Sequence, residues 1–362
     1  MPDQHPLASW LRLTLTPGVG AATQRQLLAA FGLPEGIYDA GFASVAAVIG
    51  ASAAGKLLDH DATAAVDLAL EWQARPGNVI LTLGDAAYPA SLLETPDPPV
   101  VLYVKGDAAL LSRPAVAVVG ARSATPQGEA NAEAFSTALS AAGLTIVSGL
   151  ALGIDAAAHR GGLSGPGSTV AVIGTGADRI YPARNAELAR RIAESGAIIS
   201  EFPLGVGPLA HNFPRRNRLI AGLASGVLVV EAAVKSGSLI TARLATDCGR
   251  EVFAIPGSIH SPLARGCHRL IRDGAKLVES AADILEELRL SPAEVAPARD
   301  LAFVEVSGEE ARVLEAVGHD PVDVDTLVHR TSLTPEALYA ILLTLELEGR
   351  VSRLPGGRLQ RL

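Results

Sequence analysis

Short apolar runs alternate with helix-like segments through most of this 362-residue chain, and this alternation constrains the fold more than any other feature. The runs are apolar throughout, as expected of strands that are buried on both faces. Strands separated by helices are typical of a parallel, doubly wound α/β sheet. The predicted strands are residues 79–83, 101–106, 116–120, 145–149, 169–174, 197–200, 226–230 and 252–257.

The pattern changes on either side of this central region, which divides the chain into predicted domains. Residues 1–75 contain short helical segments, of which 21–32 and 53–72 are the clearest, and 76–290 form the sheet domain. A Pro- and Ala-rich linker follows, and then three helices and a hairpin, the order of a winged helix. The linker is 291–304, the last domain is 305–362, and its helices are near 308–317, 323–330 and 334–348.

A glycine-rich turn, Pro17-Gly-Val-Gly20, separates two predicted helices near the start of the chain. A dinucleotide-binding loop would need a preceding strand and a third glycine, but the lead-in has helical spacing and Thr23 stands at the third position. A helix-hairpin-helix or SAM-like module fits better. Its free backbone N–H groups can face a phosphate, or the turn only packs two helices, since no Lys or Arg lies in it.

Composition narrows the class of protein. The chain is 49% hydrophobic and 19% charged, without an 18-residue apolar run or an N-terminal signal pattern, which predicts a soluble cytoplasmic protein. Its two cysteines and eight histidines lack metal-ligand spacing, so no metal is expected. The net charge is −8, yet residues 211–276 carry ten basic and four acidic side chains. A local basic face suits a confined anionic ligand, although solvated helix faces would give the same count.

Two predicted strand ends carry residues suited to a phosphate. In Gly120-Ala-Arg122-Ser123 the arginine stands where a dinucleotide site needs glycine, which favours an anion but disfavours NAD. At the second end, Lys235, Ser236, Gly237 and Ser238 open a helix, where N–H groups, two hydroxyls and an ammonium form a phosphate cradle. Helix capping alone would account for either serine. No cofactor is predicted.

A third helix start concentrates positive charge. Arg215, Arg216 and Arg218 oppose the helix dipole there, which indicates either an anionic partner or nearby acids. Phe213 could stack on a base or pack against its own helix. Asp155 and His159 lie four residues apart on one helix face, as an acid–base pair would, but a structural role is the simpler interpretation.

Six segments in order, among them VVGARSATPQG, SGLALGIDAAAHRGGL and VVEAAVKSGSLITARLA, resemble the DNA-processing protein A family (DprA, also called Smf) over about residues 80–285. The resemblance implies an extended Rossmann fold and a non-catalytic dimer that binds single-stranded DNA without sequence preference. It implies a role in natural transformation, in which the protein protects incoming strands and loads the recombinase RecA. Arg122 and Lys235 are carried over as the phosphate-binding pair. Ala121 and His268 depart from the common Ser and Asn of the family.

Two other functions remain as alternatives. A lysine-decarboxylase-like phosphoribohydrolase has a related fold but needs a PGGxGTxxE loop, and the PGG of this chain, residues 355–357, lies in the C-terminal hairpin. A winged-helix transcription factor needs a basic reading helix. The third helix of the tail instead carries Glu336, Glu346 and Glu348 and no cation, and its apolar face predicts packing and protein contacts or self-association.

Overall fold

The computed structural model describes residues 5–289, 308–318, 321–354 and 356–361. The predicted linker, 291–304, lies outside the described residues. In the described part of the chain, no helix is both long and apolar enough to cross a membrane.

The N-terminal region is helical, as predicted. Its helices are α1 (Ala8–Leu15), α2 (Ala21–Phe31), α3 (Pro34–Asp39), α4 (Gly41–Ile49), α5 (Ala51–Asp59) and α6 (Thr63–Gln73). The single segment predicted over 53–72 was wrong, because the chain breaks between α5 and α6. There the Asp61 carboxylate accepts a hydrogen bond from the Thr63 backbone N–H at 3.0 Å, which starts a new helix.

Nine strands form the central sheet. They are β1 (Asn78–Thr82), β2 (Val101–Gly106), β3 (Ala115–Val119), β4 (Thr145–Ser148), β5 (Thr169–Val172), β6 (Ala197–Ser200), β7 (Gly226–Val229), β8 (Glu251–Ala254) and β9 (Lys276–Leu277). Their spatial order is β1-β2-β6-β5-β4-β3-β7-β8-β9. All eight predicted strands are present, and only the two-residue β9 was missed.

The sheet is parallel from β6 to β9. The other edge differs from the prediction, because β1 pairs antiparallel with β2 and β2 pairs antiparallel with β6. Only the four-residue α7 (Ala90–Leu93) lies between β1 and β2. The chain therefore returns beside β1 without the long helical crossover that parallel pairing requires.

Helices cover both faces of the parallel strands. They are α8 (Pro126–Ala141), α9 (Ile154–Gly162), α10 (Ala186–Ser195), α11 (Asn212–Leu223), α12 (Gly237–Asp247), α13 (Arg265–Arg272) and α14 (Ala281–Glu287). Successive side chains of a strand point to opposite faces. In β3, Val116 and Val118 enter the core on one face, and Ala117 and Val119 enter the core on the other.

The N-terminal helices share a core with the antiparallel edge. Trp10, Leu11 and Trp72 pack in one cluster with Val101 and Tyr103 of β2. The rings of Trp72 and Tyr103 meet edge to face, with centroids 5.7 Å apart. This contact packs α6 against β2.

The tail contains α15 (Glu309–Val317), α16 (Val324–Thr331), α17 (Pro335–Leu347), β10 (Val351–Arg353) and β11 (Leu359–Arg361), close to the predicted segments. Thr334 caps α17, since its hydroxyl accepts a hydrogen bond from the Ala337 N–H. Leu338, Leu342 and Leu345 are fully buried. The apolar face of α17 therefore packs inward, as expected.

Candidate functional site

A cleft of about 490 Å³ opens at the carboxyl edge of the parallel strands, where ligands of such sheets bind. The loops after β3, β4, β5, β6 and β7 meet there. Seven of the eleven predicted site residues line it: Gly120, Arg122, Phe213, Arg216, Ser236, Gly237 and Ser238. Ser123 and Lys235 are exposed next to lining residues, and Arg215 and Arg218 contact acids beside the cleft.

Arg122 stands at the wall of the cleft with an aromatic pair. Its guanidinium carbon lies 5.7 Å from the centroid of the Phe213 ring, and that ring lies 5.6 Å from the ring of Tyr181. Tyr181 is about half exposed and lines the cleft. Together these side chains offer a cation and two stacking surfaces.

The loop after β7 ends in a helix N-terminus that faces the cleft. Ser236 is the N-cap of α12, and its hydroxyl accepts a hydrogen bond from the Ser238 N–H at 3.3 Å. The two hydroxyl oxygens lie 2.7 Å apart. Lys235 precedes them and is exposed. In the described residues no ion pair involves Lys235 or Arg122, so both charges are available to an anion.

Two glycines of the cleft differ in what an added side chain would meet. A Cβ at Gly120 would lie 2.6 Å from Ile154 Cγ1 and 3.0 Å from the Glu231 carbonyl oxygen, so the fold itself requires glycine. A Cβ at Gly237 would meet no atom within 4 Å. The fold therefore leaves space open beside Gly237, the first residue of α12.

Arg216, predicted as a DNA-binding residue together with Arg215 and Arg218, differs from them in being buried. It is only 4% exposed and forms the floor of the cleft. Its guanidinium donates hydrogen bonds to the carbonyl oxygens of Gly149 (2.6 Å) and Val172. Burial lowers the pKa of Arg216 to about 10, so it stays charged at neutral pH.

Arg215 and Arg218 are held by acids, the second of the two interpretations left open by their position. Both donate to the Glu201 carboxylate, Arg215 at 3.2 Å. Arg218 also pairs with Asp97 at 3.2 Å. Other cations of the basic segment are paired too, Arg250 with Glu94 and Lys276 with Glu287. Much of the predicted basic face is therefore neutralised by acids from elsewhere in the chain.

Asp155 and His159 do not hydrogen-bond to each other. The Asp155 carboxylate accepts from the N–H groups of Gly149 and Ala151 at 3.1 and 3.3 Å. His159 Nε2 accepts from the Leu150 N–H at 3.2 Å, so its Nδ1 carries the proton toward Thr169 Oγ1 at 2.7 Å.

Burial raises the pKa of Asp155 against the opposing effect of Arg216, and burial lowers the pKa of His159 to about 3. The imidazole is therefore neutral at neutral pH. Both side chains hold the loop after β4 in place, which agrees with the structural interpretation.

Glu231 has a similar bracing role. Its carboxylate accepts hydrogen bonds from the Thr125 N–H at 2.9 Å and the Thr125 hydroxyl at 2.6 Å, which ties β7 to the start of α8.

His268 stands where Asn is common in the family that the sequence resembles. Its Nε2 atom lies 3.0 Å from the Gly257 carbonyl oxygen. Across the described ranges, no cluster of three or more His, Cys, Asp or Glu side chains could hold a metal ion.

Sequence reasoning missed Tyr181. It follows β5 by nine residues, in a loop from which no site residue was predicted. Gly174 of the same loop leaves room for Phe213, because a Cβ there would lie 3.0 Å from the phenyl ring. An aromatic residue in a loop at the carboxyl edge was the signal that could have identified Tyr181.

Two family models match this chain. Residues 79–289 match that of DNA recombination-mediator protein A, and residues 292–357 match the DprA winged helix domain. The first match covers more than half of the chain. The chain belongs to the DNA recombination-mediator protein A (DprA) family. The predicted family, the α/β fold and the winged helix are thereby confirmed.

Two similar proteins carry names of the same family. Protein Smf of Escherichia coli (strain K12) is 42% identical over 304 residues, which cover 82% of this chain and 81% of that protein. DNA processing protein DprA of Streptococcus pneumoniae (strain ATCC BAA-255 / R6) is 50% identical over 220 residues, 61% of this chain and 77% of that protein.

Two solved DprA structures resemble the chain. The X-ray structure of DprA from Streptococcus pneumoniae matches with a TM-score of 0.69 at 39% identity, over 77% of this chain and 97% of that one. The DprA structure from Helicobacter pylori, described for its single-stranded DNA binding mode, matches with a TM-score of 0.53 at 32% identity, over 58% and 95%.

Proposed function

We propose that this DprA family member is a non-catalytic single-stranded-DNA-binding protein that protects incoming DNA in natural transformation and loads the recombinase RecA onto it. One observation carries the proposal: Arg122 in the cleft and Lys235 at its rim, which have no ion pair within the described residues, lie near the aromatic pair Phe213 and Tyr181. Phosphates of a strand bind cations, and its bases stack on aromatic rings.

The chemistry of the cleft favours binding without sequence preference. Cations and helix N–H groups recognise the backbone, which is the same in every sequence. Aromatic rings stack on any base. The similarity to the Helicobacter pylori protein, whose structure is described for single-stranded DNA binding, supports the same ligand here.

The acids at the carboxyl edge support a binding role rather than hydrolysis. The Glu231 carboxylate accepts hydrogen bonds from Thr125 at both of its oxygens, and Asp155, which lines the cleft, accepts two backbone N–H groups at Oδ2. Both carboxylates thereby hold loops of the site in place, which is a structural role. The proposal thus assigns no catalytic residue and no cofactor.

The remaining parts of the proposal concern partners and domains. RecA and a second copy of this chain are the proposed protein partners. The proposed domains are a SAM-like module (1–75), the strand-binding domain (76–290), a linker (291–304) and the winged helix (305–362). In the winged helix, two hairpin arginines pair with acids of α17 and its cap: Arg350 with Glu348 and Arg353 with Glu346. Those pairs support protein contacts over duplex reading.

The test measures the binding of labelled single strands to the full-length protein. Arg122→Ala and Lys235→Ala should each weaken binding for every sequence and lower the salt slope by about 0.7 to 1 unit, since each removes one phosphate contact. The matched controls are Arg113→Ala and Lys105→Ala, exposed residues at the opposite edge of the sheet.

Wild-type affinity and salt slope in both site variants would contradict the site. A preference for duplex over single strands of equal length would contradict the ligand. RecA loading is checked separately, by the rate at which RecA covers a strand already bound by this protein. Base or phosphate released from nucleoside monophosphates by wild type but not by Glu231→Gln would restore the hydrolase.

A further inference from the structure

A chain of ion pairs connects the N-terminal helices to the start of α11. Arg25 of α2 pairs with one carboxylate oxygen of Asp97, and the other oxygen lies 3.2 Å from Arg218 Nε. Arg218 pairs in turn with Glu201, whose Oε2 atom also lies 3.2 Å from Arg215. The chain thus links α2, the loop before β2, the end of β6 and α11.

Arg218 is the central member of this ion-pair chain. Besides its two ion pairs, its guanidinium donates a hydrogen bond to the Asp97 carbonyl oxygen. The side chain of Arg218 is 14% exposed, and that of Glu201 is 3% exposed. Salt screens such shielded pairs much less than exposed ones. These contacts therefore hold α11 against β6 and the loop before β2.

Polar contacts, and not apolar packing alone, hold α2 next to the end of β6. A cavity of about 150 Å³ lies between them, with walls from α2, β2 and the residues after β6. Beside it, Arg25 donates a hydrogen bond to the Pro98 carbonyl oxygen at 3.2 Å, in addition to its pair with Asp97. Arg25 is therefore the residue of α2 that joins this helix to the ion-pair chain.

The first turns of α11 also supply the aromatic surface of the cleft. Phe213 lies five residues before Arg218, and its ring lies 5.6 Å from the Tyr181 ring. In the part of the chain that the structure describes, no residue of α1 to α6 lines the cleft. An influence of Arg25 on a strand in the cleft therefore has to pass through α11.

We propose that Arg25 and Asp97 are positioning residues of the strand-binding site. Through Arg218 they hold α11 so that the Phe213 ring keeps the orientation that stacks on a base. Binding sites depend on neighbouring contacts that lock the side chains touching the ligand. The N-terminal helices thus contribute to strand binding through α11. This inference rests on the proposed function.

The first measurement is the affinity of the full-length protein for a labelled single strand. Arg25→Ala should weaken binding roughly threefold, an effect typical of changes in a coupling network. The salt slope should stay at the wild-type value, since no phosphate contact is lost. Arg25→Lys keeps a cation beside Asp97 and should regain most of the affinity. The matched control is Arg75→Ala, an exposed arginine after α6 with no ion pair among the described residues, which should bind as wild type does.

A double-substitution cycle separates positioning from a direct contact. Phe213→Ala removes the stacking ring and should weaken binding roughly tenfold. If Arg25 acts through that ring, Arg25→Ala should have no further effect in the Phe213→Ala protein. A strand that contains 2-aminopurine gives a second readout, because stacking on an aromatic ring quenches its emission. Arg25→Ala should reduce this quenching at saturating protein.

The outcomes separate this inference from the proposed function. If strands bind and Arg122→Ala weakens binding, while Arg25→Ala binds as wild type does, the inference is wrong and the proposed function stands. Effects of Arg25→Ala and Phe213→Ala that multiply, or a lower salt slope for Arg25→Ala, would also overturn it. If no strand binds, both fail. Urea unfolding checks that the variants are folded, as expected for the loss of a partly exposed ion pair.

Discussion

The two sets of cations at the carboxyl edge differ in what already surrounds them. Arg122 and Lys235, in loops after β3 and β7, have no ion pair within the described residues. Arg215, Arg216 and Arg218, at the start of α11, contact carboxylates or backbone carbonyls. Arginine and lysine side chains at neighbouring helix starts therefore have different roles. The first set can neutralise a ligand, while most of the second holds the fold together.

The largest expected effect that separates the two sets is on stability. Arg216→Ala should lower the free energy of unfolding by about 3 kcal/mol, because the carbonyl oxygens of Gly149 and Val172 lose a charged donor inside the protein. Urea unfolding of the full-length protein measures it. Arg122→Ala is the comparison and should change stability little. A stable Arg216→Ala protein that no longer binds single strands would move Arg216 into the first set.

The two glycines of the cleft sharpen the same comparison, with a smaller effect. Gly237→Ala should change stability by no more than about 1 kcal/mol, the upper size of the Gly–Ala difference within a helix, because its Cβ meets no atom. It should weaken strand binding several-fold if a phosphate approaches the α12 N-terminus. Gly120→Ala should instead destabilise the fold, since Ile154 and Glu231 occupy the space.

Binding isotherms and unfolding curves of both glycine variants decide this point. A Gly237→Ala protein that binds as tightly as wild type would show that the phosphate does not reach α12.

The smallest effect is expected in the tail. Arg353→Ala should change the affinity for random duplex DNA less than twofold, since Arg353 already pairs with Glu346 at 3.6 Å and α17 contributes acids. Residues 302–362 expressed alone should likewise bind duplex DNA only in the nonspecific range, about 10⁻⁴ to 10⁻⁶ M. An affinity tighter than about 10⁻⁷ M would indicate a DNA-reading module.

Much of the fold could be predicted from the sequence, because apolar runs and helix caps are local signals. Pro335 and Thr334 mark the start of α17, and the run at Ala115–Val119 marks β3. The antiparallel edge could not be predicted, since strand direction depends on how the chain returns from β1. The two residues of β9 are too few to form a periodic pattern.

The sequence predicted those site residues whose location follows from their place directly after a strand. Arg122 and Lys235 follow strands whose carboxyl ends share an edge, which placed them together. Whether Arg216 is buried or exposed depends on which face of α11 packs against the sheet. A signal existed: Arg216 shares a helical face with the buried Leu219, Ile220 and Leu223. Acids distant in sequence, such as Glu201 and Asp97, gave no such signal.

The contact between Arg216 and Gly149 restricts how these two positions can change during the evolution of the family. A side chain at position 149 would overlap the Arg216 guanidinium, so neither residue can change first without loss. The two positions, 67 apart in the chain, should be inherited as a unit. A lineage that replaced the arginine would release position 149 to acquire a side chain, and the floor of its cleft would then be built differently.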